Sequence, residues 1–258
     1  MHADFDLYVP RPTWMHRLDP RIKLLFVAEA TLFTFLWPSL WTALAVVLLC
    51  TVLLWAGQIP ARRIASVWRA MGVLSLMVFA LTVLFGSGGQ VLFRAGPVVV
   101  MSDAVVQGAL LALRLLALAL VFALWLFTTD QAAMVRGFVA LHLPYDWGLT
   151  LGLALRYLPA FASLFEQVRE AQQARGLDLE QASFIRRLQA YRPILIAMII
   201  AALRNSERLG WALEARALDT PGVKRTAFRS LRLAGRDRLA LLVLGAALVG
   251  GIVLRMLR

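Results

Sequence analysis

The stretch AVVQGALLALRLLALALVFALWLF, residues 104–127, carries a single charge, Arg114, in 24 residues. As a helix it is about 36 Å long, more than enough to cross a hydrocarbon core of about 30 Å. The rest of the chain agrees: 60% of its 258 residues are hydrophobic and the mean hydropathy is +0.73, above the roughly 45–50% apolar content of a soluble domain. The fold class expected is all-α, a polytopic helical membrane protein.

Working outward, similar runs lie at about 22–37, 39–57 and 70–86, and a fifth at about 238–254. Trp37-Pro38-Ser39 separates the first two and makes them a helical hairpin. Arg11, Arg17, Arg21 and Lys23 precede the first span and the turn at Pro38 is uncharged, which places the N-terminus in the cytoplasm. Arg62, Arg63 and Arg69 return the chain inside, and Gly86-Ser87-Gly88-Gly89 opens an outer loop holding only Arg94 and Asp103. Acids precede the first basic residue, the reverse of a signal peptide, so no cleaved leader is expected. The 27 basic and 15 acidic residues give a net charge of +12, with only two lysines, Lys23 and Lys224. In a membrane protein that balance points to cytoplasmic loops and acidic partner surfaces, not to nucleic acid. The lone Cys50 reads as a small hydrophobe.

Residues 128–238 hold 26 of the 42 formal charges, mixed with apolar runs, as amphipathic helices do. The expected organisation is 1–127, about four transmembrane helices; 128–237, a cytoplasmic-side helical region; and 238–258, a last transmembrane helix. Within the middle region helices are expected at about 130–141, 145–175 and 193–217, with Pro144 and Pro193 near two starts, Pro159 as a kink, and Gly176 and Pro221-Gly222 as stops. The stretches 147–165 and 193–203 are apolar enough either to lie half-embedded or to cross, which leaves the side of the C-terminus open.

The two long amphipathic helices end alike. Ala174-Arg175-Gly176-Leu177-Asp178 and Ala215-Arg216-Ala217-Leu218-Asp219 agree at four of five positions, 41 residues apart. Small flanking residues let another backbone approach, and a guanidinium offers a planar fork of donors to carboxylates. That suits docking into a groove on another protein; the plainer alternative is that cations favour helix C-termini.

Several motifs together resemble the transmembrane T component of energy-coupling factor (ECF) transporters, bacterial importers of vitamins and transition metals. They are His16-Arg17-Leu18-Asp19-Pro20-Arg21-Ile22-Lys23-Leu24, Arg114-Leu115-Leu116, Thr128-Thr129-Asp130, Leu143-Pro144, Arg156-Tyr157-Leu158-Pro159 and Ala171-Gln172-Gln173-Ala174-Arg175-Gly176, and the likeness covers about residues 8–225. The resemblance implies a non-catalytic coupling subunit in the bacterial inner membrane. It also implies as partners two ATP-binding cassette ATPase subunits and a substrate-binding membrane S component, with the ATPases docked at Ala174, Arg175, Gly176 and at Ala215, Arg216, Ala217. Ala217 stands where the family usually has glycine. Alanine disfavours positive φ, so the second helix is expected to run further there.

The chain has no Gly-x-x-x-x-Gly-Lys-Ser/Thr cradle, so ATP is expected on partner subunits and no cofactor or metal on this one. His2, His16 and His142 lack metal-ligand spacing, and no catalytic constellation stands out. Arg114 lies deep in the fourth span, where arginine costs roughly 2.5 to 3.5 kcal/mol on the insertion scale. Glu29 is the acid at comparable depth, so a Glu29–Arg114 pair pinning the first and fourth spans is expected; a substrate or proton pathway, snorkelling and another partner are the alternatives. Arg186-Arg187 and the run from Lys224 to Arg238 read as contacts to membrane lipid. Two other function classes compete, a stand-alone secondary transporter and an ordinary ABC permease, and the cargo is not legible because in such systems another subunit binds it.

Overall fold

A computed structural model describes residues 8–95, 98–177, 189–218 and 235–256. These hold α1 (Pro20–Leu36), α2 (Leu40–Ala56), α3 (Ala61–Phe85), a hairpin of β1 (Val91–Ala95) and β2 (Val98–Met101), α4 (Ser102–Thr128), α5 (Gln131–Ala140), α6 (Tyr145–Ala174), α7 (Arg192–Glu214) and α8 (Gly235–Met256). The described residues form two compact bodies, one of 8–148 with 235–256 and one of 149–218, and the division falls inside α6. The fold is all-α apart from the hairpin.

In the first body α1 opens at Asp19-Pro20. The Arg21 backbone N–H donates to Asp19 Oδ1 at 2.9 Å, and Pro20 occupies a position whose N–H would have no helical partner. The helix stops at Trp37, since the residue before a proline is forced out of helical geometry; the Trp37 ring stacks on Phe33 at 4.7 Å. α2 then buries one stripe, Ala43, Val47, Cys50 and Leu54. Its remaining face, with Trp41, Leu48 and Val52, is exposed and apolar, as a face solvated by lipid is.

The stretch 104–127 forms the centre of this body. α4 packs against α1, α2 and α3, and Ala117, Leu120 and Val121 are wholly buried alongside Cys50 and Leu54. Gly108 sets the distance to α3: a Cβ there would lie 3.2 Å from Phe79 Cδ2 and 3.3 Å from its carbonyl oxygen. A larger residue would force the two helices apart.

The structure departs from the expected boundaries in three places. α3 starts at Ala61, well before 70, because Arg62, Arg63 and Arg69 belong to it; their long stems let a helix continue out of hydrocarbon while the charges stay in water. The loop between α3 and α4 holds an antiparallel hairpin, Phe93 opposite Val100 and Arg94 opposite Val99, which the β-branched run Val98-Val99-Val100 favours. The two bodies also differ from the three expected segments. α5, capped by Asp130 accepting from the Ala133 N–H, sits against α1, where Gly137 meets Pro20 and Leu24. α8 packs against α1 as well, and the Asp19 N–H donates to Asp237 Oδ1 at 3.1 Å.

The second body consists of α6 beyond Gly148 together with α7. α6 runs through Pro159; the missing N–H there leaves the Leu155 carbonyl without its helical donor. Among the described residues α3, α4 and α6 are long and apolar enough to cross a membrane, with α2 a shorter apolar helix. For 147–165, then, length and composition permit a crossing.

Candidate docking site at two helix tips

α6 and α7 end in one backbone pattern. At the first tip the Arg175 and Gly176 N–H groups donate to the carbonyls of Gln172 and Gln173 at 3.1 and 2.9 Å, and the Leu177 N–H reaches back to Gln172 at 3.0 Å. At the second, Arg216 and Ala217 donate to Leu213 and Glu214 at 3.1 and 2.8 Å, and Leu218 to Leu213 at 3.1 Å. Both are Schellman closures, whose penultimate residue turns left-handed. Gly176 does so at φ +89° and Ala217 at φ +52°. The expectation that alanine would let α7 run further is thereby corrected: the helix stops at Glu214, because the two i→i−3 bonds and the i→i−5 bond together offset the cost of placing an alanine there.

This closure leaves Arg175 and Arg216 at exposed helix ends, between exposed small residues: Ala174 and Gly176 at one, Ala215 and Ala217 at the other. Neither guanidinium makes a hydrogen bond or ion pair with the described residues. Asp178 and Asp219, like His2, Arg186, Arg187, Pro221, Gly222 and Lys224, lie outside the described residues. Upstream, Ala160 of α6 and Ala197 and Ala201 of α7 lie on facing walls of one space. They enclose an open groove of about 630 Å³ lined also by Tyr157, Phe161, Arg204 and Arg208. From Leu164 to Ala174 and from Arg208 to Glu214 each helix continues past the groove, for about 15 Å and about 9 Å. Along α7 the side chains of Leu195, Ile196, Ile199 and Leu203 are exposed, while Ile194 alone is buried.

The Glu29–Arg114 pair is not formed. Arg114 Cζ sits over the Phe35 ring at 4.9 Å, and no ion pair joins it to Glu29. Register is the reason. Lys23 Nζ donates to the Thr128 carbonyl oxygen at 2.7 Å, which sets the start of α1 level with the end of antiparallel α4. Counting outward from that contact, Glu29 lies about 9 Å along α1 and Arg114 about 21 Å along α4, a mismatch of about 12 Å. Glu29, 9% exposed, instead lines an apolar cavity of about 510 Å³ with Phe26, Phe33, Leu49, Leu124 and Leu244.

What the sequence reading missed is a second polar cluster where the chain first enters the bilayer. Lys23 ties α1 to the end of α4, Asp237 ties α8 to the cap of α1, and the Val9 N–H donates to the Phe127 carbonyl at 3.0 Å. His16 pairs with Thr13 through Nδ1 at 2.6 Å. Burial first, and then the charge of Lys23, hold the His16 imidazole below its ordinary pKa. The run His16 to Leu24 is thus a structural knot. The available signal was Asp-Pro, a cap followed by a first-position proline.

The fold and these tips define a polytopic helical membrane protein with two cationic helix ends turned outward. The CbiQ family, described as cobalt transport protein, matches residues 11–226, and the chain belongs to that family. Among curated relatives it is 28% identical to the energy-coupling factor transporter transmembrane protein EcfT of Heliobacterium modesticaldum, over 89% of each chain. It is 27% identical to that of Thermosediminibacter oceani over 96% of each, and 28% identical to that of Bacillus subtilis over 93% of this chain and 95% of the relative. The chain is a membrane component of an ECF-type transporter.

Proposed function

We propose that this chain is the coupling subunit of an ATP-driven importer, holding one cytoplasmic ATPase at each of its two helix tips. The observation that carries the reading is the pair of like-closed tips: Arg175 and Arg216, each exposed, flanked by small residues and without a partner among the described residues. A planar guanidinium between small neighbours can enter a groove and take a carboxylate bidentately. ATP and its hydrolysis belong to the partner subunits, and this chain is not an enzyme. When nucleotide draws the ATPases together, α6 and α7 shear along the groove that Ala160 and Ala197 line, and the exposed apolar face of α7 passes the motion to a substrate-binding membrane S component. The N-terminus is cytoplasmic, in a bacterial inner membrane, and the cargo is a vitamin or transition metal bound by the S component.

One observation favours a second reading. Glu29 faces an apolar cavity large enough for a small solute, as a stand-alone secondary transporter would require. Uptake of labelled substrate into cells deleted for the ATPases decides between them: loss of uptake is expected, and undiminished uptake would favour the stand-alone transporter.

A further inference from the structure

The outward stripe of α4 runs Gln107, Leu111, Arg114, Leu118, Phe122, on the side opposite the buried Leu116, Leu120, Ala123 and Phe127. Leu111 and Phe122 are exposed, and so are Leu32 and Phe35 of α1 beside them. Arg114 therefore lies midway along a 27-residue membrane helix, on the face that lipid or another polypeptide must cover. It stands about 18 Å from the outer end of α4 and about 21 Å from the inner one, near the bilayer centre. Its Nε is buried and has no hydrogen-bond acceptor. The Phe35 ring offers only its π face, and Glu29 sits at another level. Hydrocarbon supplies no acceptor to a guanidinium at this depth, whereas a carboxylate at the same depth satisfies it and is satisfied by it.

We propose that the α1–α4 face centred on Arg114 and Phe35 is an intramembrane docking surface for a transmembrane helix of another subunit that presents a carboxylate. Charge complementarity selects this occupant: a lipid phosphate lies too far toward either surface, and a second copy would set Arg114 against Arg114 about a two-fold axis. The contact rests on the reading that this chain works with a separate membrane subunit, and it is distinct from the cytoplasmic tips.

The test is photo-cross-linking from positions 111 and 118 in the complete complex in native membranes, with adducts mapped by mass spectrometry and retained ATPase co-purification serving as the check on folding. An adduct is expected to a transmembrane peptide containing Asp or Glu. Its yield should fall at least tenfold with Arg114→Gln, recover largely with Arg114→Lys, and fall again when the partner acid is neutralised. Adducts to phospholipid alone, to a second copy of this chain, or to a partner helix at a yield unchanged by Arg114→Gln would overturn the proposal. Loss of ATPase binding in the unaltered chain would instead count against the coupling role, and the source of the adducts would still decide this one.

Discussion

Ala217 and Gly176 close their helices with the same backbone, left-handed at φ +52° and +89°, though only one of them is a glycine. No atom lies within 4 Å of where a Cβ would stand on Gly176, so the difference between the two tips is conformational and not steric. An L-residue in the left-handed region costs roughly 1–2 kcal/mol.

Ala217→Gly should therefore stabilise the α7 tip by about 1 kcal/mol, after the greater freedom of glycine in the unfolded chain is deducted. Hydrogen exchange at the Leu218 amide, which donates to Leu213, reads it directly: about fivefold slower exchange is expected. Gly176→Ala should speed exchange at Leu177 by a similar factor. No change at either amide would mean that the closures are not strained as described.

Lys23 donates to the carbonyl end of α4 from a buried position. Lys23→Met removes a charge-assisted bond and leaves the Thr128 carbonyl short of a donor, at a cost of about 2 kcal/mol. Thermal unfolding in detergent should show a Tm lower by about 4–8 °C; an unchanged Tm would remove Lys23 from the structural knot.

Asp237→Ala takes away the acceptor for the buried Asp19 N–H. The loss should be about 1–3 kcal/mol, with Asp237→Asn milder because an amide oxygen still accepts. Limited proteolysis before Gly235 should accelerate in the alanine variant and not in the asparagine one.

His16 has a folded pKa below its ordinary value of 6.5. The unfolded chain then binds the proton at a higher pH than the folded one, so stability is complete above about pH 6.5 and falls as pH drops through that value toward the folded pKa. Melting at about pH 7.5 and about pH 5.5 should show a fall in Tm that is smaller in His16→Gln. Equal falls in both chains would assign the dependence to other groups.

The helices were legible wherever composition alone decides. The apolar run 104–127 became α4 within two residues at its start and one at its end, and Pro38 marked a stop by its own chemistry. α3 was read short because an apolar count detects hydrocarbon, not helix, and Arg62 to Arg69 extend the helix into water. Arg114 and Glu29 were paired on depth alone, and register, which one contact between Lys23 and Thr128 sets, is invisible to that reasoning. The repeat marked Arg175 and Arg216 as like helix ends, but the closure at Ala217 depends on backbone hydrogen bonds that outweigh the residue's own preference.

The most direct measurement is native mass spectrometry of the chain co-expressed with its ATPases, counting subunits retained. Truncating an arginine that fills a docking groove commonly costs about 2 kcal/mol or more, roughly thirtyfold in affinity, and reversing its charge costs more. The wild type should carry two ATPase subunits, Arg175→Glu or Arg216→Glu one, and the double variant none; a double variant that keeps both would contradict the assignment of the two tips.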